Sequence, residues 1–77
     1  METEMTNIQY RKYDATAARG PVVEFWADDG PDKICGFDSE KSNVRKNDAV
    51  VENDTVVDSV VAEVYSAIDR GNATRIW

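Results

Sequence analysis

Seventy-seven residues make one domain, close to the lower size at which a chain folds without a disulfide or metal staple. Apolar residues are 42% of the total, too many for a disordered chain, and 15 acids against 9 bases leave a net charge of −6. That balance disfavours non-specific binding to nucleic acid or to anionic membrane, since both depend on Lys and Arg to neutralise phosphate.

Residues 1–6 are polar and are expected to form a disordered tail on a single domain spanning 1–77. From Asn7 to Asp14 the chain alternates, with Ile8 and Tyr10 on one face and Gln9, Arg11 and Tyr13 on the other, which predicts an exposed or edge strand. The run Val22 to Ala27, VVEFWA, is rich in β-branched and aromatic residues and predicts a strand. Its apolar face holds Val23, Phe25 and Ala27; Val22, Glu24 and Trp26 share the other. DDGPD is dense turn chemistry, and KICGFD returns as the paired strand. Between residues 39 and 49 only Val44 is a large apolar side chain, so a polar connection or a weak surface helix is expected. Val50 and Val51 are expected to add a short strand.

The clearest element follows. Asn53, Asp54 and Thr55 are all favourable N-caps, and Thr55 with Asp58 resembles a capping box. At about 100° per residue, Val56, Val57, Val60, Val61, Val64, Tyr65, Ala67 and Ile68 fall within one arc of roughly 180°. Gly71 is a natural stop. Valine is a poor helix former, so a helix over about 54–70 needs a surface to pack against. A last short strand is expected over Ala73 to Trp77. The fold class is therefore α+β: three to four antiparallel strands with one amphipathic helix on one face.

Chemistry is sparse. With no histidine and one cysteine, Cys35, neither an internal disulfide nor a zinc site of ordinary nitrogen and sulfur ligands can form within one chain. The acids around Gly30 fail the calcium-loop pattern: Asp28 and Asp29 are adjacent, and residue 36 is glycine where that loop needs glutamate. Cys35 lacks a C-x-x-C partner and reads as a core or sheet residue. The four glycines form no phosphate-binding loop, and no base is set beside a nucleophile. No cofactor, metal or catalytic residue is expected. Tyr10-Arg11-Lys12-Tyr13 interleaves bases and aromatics, but an edge strand guarded by charge explains it better, since the surrounding acids are unfavourable for phosphate. Two N-x-T matches, at Asn53 and Asn72, carry no meaning without secretion. The N-terminal residues do not read as a secretory signal, and no run approaches the roughly 18 apolar residues of a membrane span. The expected setting is the cytoplasm of a cell or host.

The acids are distributed unevenly. Asp28, Asp29, Asp32, Asp38 and Glu40 stand against Lys33 alone, and Asp48, Glu52, Asp54 and Asp58 face no base in their stretch. Turns and helix starts favour acids locally. Were the two groups to meet in space, they would form a carboxylate surface able to occupy a groove built for phosphate. The reading is a non-catalytic acidic protein that binds a basic, often nucleic-acid-binding, surface of a partner protein, without contacting nucleic acid directly. The residues expected at that contact are Asp28, Asp29, Asp32, Asp38 and Glu40, with Trp26 as an aromatic anchor. In size, charge and missing chemistry the chain resembles compact phage-encoded anti-defence proteins, such as anti-CRISPR inhibitors, which implies an inhibitor or modulator. The alternative is a salt-adapted accessory or structural domain that self-associates, as a homodimer, through a sheet edge.

Overall fold

The computed structural model describes residues 5–76. Six strands and one helix follow in the order β1 (Thr6–Tyr13), β2 (Val22–Asp29), β3 (Asp32–Asp38), β4 (Asn43–Lys46), β5 (Ala49–Val50), α1 (Asp54–Asp69) and β6 (Ala73–Arg75). They form one mixed sheet ordered β5-β4-β3-β2-β1-β6. All neighbours are antiparallel except β1 and β6, which run parallel with Ile8 opposite Ala73.

The α+β class holds, while the expectation of three to four antiparallel strands is corrected to six strands with one parallel pair. The segment expected to be a polar connection or weak helix contains β4, because Val44, its one large apolar side chain, is fully buried and opposite Gly36. Asn47 and Asp48 then turn the chain with φ of 51° and 67°. Two successive positive φ angles make the type I′ turn whose twist suits a tight hairpin. The tail expected over 1–6 is corrected at its end: Met5 is buried, its N–H donates to Glu63 Oε2 at 2.8 Å, and Thr6 opens β1. Residues 1–4 of that tail, and Trp77 of the expected last strand, lie outside the described residues.

The core lies between the sheet and α1. Ile8, Phe25, Ala27, Ile34 and Val44 meet Val57, Val64 and Ala67 of the helix. The predicted helix arc was too wide, since Val56 and Tyr65 are exposed at its margins. Asn53 caps the helix, its Oδ1 accepting the N–H groups of Thr55 and Val56, and Gly71 ends it with φ 75°. Glu63 reaches Met5 at the start of β1, whereas Tyr65, two residues on, donates to Asp38 at the end of β3. These partners lie at opposite ends of the strands, so the helix crosses them. It covers one sheet face and leaves the other open.

Candidate partner-binding surface

The β2–β3 hairpin closes through Gly30-Pro31, with Gly30 at φ 61°. A glycine at positive φ in the first central position suits a type II′ turn. Cross-strand register then decides where each tip acid points. Asp28 faces Lys33 on the open side, and its Oδ1 accepts from Lys33 Nζ at 2.7 Å. Asp29 and Asp32 are opposite one another on the helix side. Two carboxylates in that position repel, and Lys46 of β4 lies near both, its Nζ 3.9 Å from Asp29 Oδ2 and 3.3 Å from Asp32 Oδ2. Asn47 Nδ2 also donates to Asp32 Oδ1 at 2.8 Å. The hydrogen bond from Lys33 holds Asp28 below the usual aspartate value, and those from Asn47 and Lys46 do the same for Asp32.

The other acids do not join this tip. Asp38 ends β3, six residues along from Asp32, where it accepts from Ser42 Oγ at 2.6 Å and from the Tyr65 hydroxyl. It ties the β3–β4 turn to the helix. Glu40 is exposed in that same turn. The acids before the helix are separated from the tip as well. After the Asn47-Asp48 turn, β5 runs antiparallel to β4 and Val51 reaches the level of Val44, so the chain has left the tip before Asn53. Of that group only Asp48, in the turn beside the tip, stays with Asp28, while Glu52, Asp54 and Asp58 do not share that surface.

Trp26 stands on the open face between Gln9 and Cys35. It is half-buried and lines a concavity of about 440 Å³ together with Asp28, Lys33, Cys35 and Asp48. Cys35 is thus a sheet residue facing away from the core, since its neighbours Ile34 and Gly36 occupy the buried face. The rim is set by unusual backbone. Asn7 has φ 52° where β1 spends two residues, Asn7 and Ile8, against the single Ala27 of β2, between the pairs Thr6–Asp28 and Gln9–Trp26. Such a bulge needs a residue tolerant of positive φ, and asparagine serves. A second concavity, about 340 Å³, opens at the far end of the same face between Tyr13, Arg19, Val22 and Phe37. Tyr13 donates its hydroxyl to Glu24 at 2.8 Å, and the Arg11 guanidinium lies 5.1 Å from its ring centre.

Sequence reasoning placed Trp26 and Asp28 on one surface but missed Asp48 and Lys33 as parts of it. The alternation of KICGFD could have assigned Lys33 to the Trp26 face; the Asn-Asp turn signal could have placed Asp48 at a hairpin tip. Elsewhere, α1 carries Asp54, Asp58, Glu63 and Asp69 with no Lys or Arg among its sixteen residues. No group of three or more potential metal ligands occurs among the described residues, and none of their helices is long and apolar enough to cross a membrane. No protein-family model, curated protein or solved structure matches the chain.

Proposed function

We propose that this protein is a non-catalytic binding protein that docks on a basic surface of a partner protein and blocks or modulates it, in the manner of phage anti-defence inhibitors such as anti-CRISPR proteins. One observation carries the reading: an aromatic anchor, Trp26, shares a concavity with the carboxylates of Asp28 and Asp48 at the hairpin tip. Interfaces concentrate their binding energy on such aromatic groups, and surrounding charge selects the partner and speeds encounter. The carboxylates of α1 add a wider negative field that steers a cationic partner. The contact centres on Trp26, Asp28 and Asp48 on the open face, with Asp29 and Asp32 on the helix side of the same tip; Asp38 and Glu40, at the opposite end of β3, lie outside it.

Affinity capture from source-cell lysate tests this. The unmodified chain should retain a basic protein, and a variant neutralised at Asp28, Asp29 and Asp32 to Asn should lose it while remaining folded by circular dichroism. Undiminished capture by the neutralised variant would refute the tip as the contact.

A second reading has its own observation. Four helix carboxylates without a cation in α1 also suit a salt-adapted accessory or structural domain, in which the charge serves solubility in concentrated salt. Such a fold should lose stability steeply below molar salt, whereas a docking protein should remain folded in dilute buffer.

A further inference from the structure

We propose that the tip concavity is a seat for a single arginine side chain of the partner, an inference that rests on the docking reading and specifies its chemistry. The volume, about 440 Å³, lies in the range of cavities that enclose small ligands or single side chains. Its wall is the Trp26 indole, and two carboxylates, Asp28 and Asp48, stand with it against one ammonium, Lys33. Asp28 is already paired with Lys33 at 2.7 Å and takes a longer contact from Asn7 Nδ2 at 3.4 Å. Asp48 forms no ion pair among the described residues and is exposed. The balance is one uncompensated negative charge beside an aromatic wall, which is complementary to a cation.

Guanidinium fits this pairing better than ammonium. Its plane can lie on the indole while its edge offers two N–H groups to a carboxylate, so one group satisfies both surfaces. The rim is also fixed before any ligand arrives. Asn7 holds the bulge of β1, and Asn47 accepts from the Lys33 N–H while its own N–H donates to the Lys33 carbonyl, both at 2.9 Å. A rim held by backbone hydrogen bonds loses little freedom on binding.

The test uses the full chain carrying Trp77→Phe, which leaves Trp26 as the only indole. The probe is acetyl-Gly-Arg-Gly-amide at moderate salt, and the readout is the NMR shift of the Trp26 indole N–H. The proposal predicts a saturable shift, weakened about two- to fivefold by Asp48→Asn, the range expected for an exposed charge pair. Asparagine tolerates positive φ, so this variant keeps the turn. Replacing arginine by its neutral isostere citrulline should abolish saturation, and lysine should bind more weakly. No saturation with the arginine probe, equal binding of the citrulline probe, or indifference to Asp48→Asn each overturns the proposal. Loss of the lysate partner with tripeptide binding intact would refute the docking function alone. Partner capture that persists while the tripeptide fails to bind would refute the arginine seat alone.

Discussion

Gly36→Ala tests the packing logic of the sheet. Gly36 lies on the helix side of β3, with Phe25 on one side and Val44 on the other. A Cβ at this position would stand 2.2 Å from the Asn43 carbonyl oxygen and 3.0 Å from Phe25 Cζ, whereas ordinary contact begins at 3.4 Å. The Phe25 ring can shift a little. The Asn43 carbonyl belongs to the backbone of β4, which must retreat by roughly 1.2 Å, so this substitution should fall at the upper end of overpacking costs, about 3 kcal/mol. Retreat of β4 also loosens Val44, which is fully buried. For a domain of this size total stability is about 4–12 kcal/mol, and each 1 kcal/mol shifts Tm by about 4–8 °C. The expected fall in Tm is therefore about 12–24 °C, read by thermal circular dichroism with recovery checked on cooling. Gly20→Ala is the control: nothing lies within 4 Å of its added Cβ, and its φ is not in the left-handed range. Its Tm should change by no more than about 3 °C. A Gly36→Ala protein that melts within about 3 °C of the parent would refute the close approach of β4 to β3.

Three other outcomes follow from the same geometry. Asn53→Ala removes the acceptor for two helix N–H groups and should cost about 1 kcal/mol in urea denaturation, with Asn53→Ser restoring most of it. At high pH, Tyr65 is pushed up to about 12, first by burial and then by its hydrogen bond to Asp38. Its neutral form is favoured by folding, so that stability is present below pH ~10 and should be lost as pH rises toward 12; Tyr65→Phe should flatten this limb of the stability profile. At low pH the sign reverses. Asp28 and Asp32 are held below the ordinary aspartate value by their hydrogen bonds, so their contribution is present above about pH 4 and should fade below it, less so in the Asp28→Asn/Asp32→Asn variant.

Much of the fold is legible because its signals are local. The alternation of VVEFWA assigns Phe25 and Trp26 to opposite faces, and the Asn53 cap, the valine arc and Gly71 bracket the helix. β4 is harder to read, since one valine among polar residues carries no periodicity; Val44 is buried only because α1 and β3 meet there. The pairing of β6 with β1 joins segments at opposite ends of the sequence, and local pattern does not encode such a contact. The same holds at the tip. Lys46 is fourteen residues from Asp32 and neutralises it only through the register of β3 and β4. Nor could composition show that Asp38 sits a strand's length from Asp28 and is engaged by Ser42 and Tyr65.

Competition with a polyanion tests the central claim most directly. The partner captured from lysate should be released by heparin, a dense chain of negative charge, at an ionic strength where the same concentration of a neutral polysaccharide releases nothing. That result places the contact on the partner's basic surface, as electrostatic docking requires. A partner that stays bound in excess heparin, with capture equally indifferent to added salt, would contradict the account.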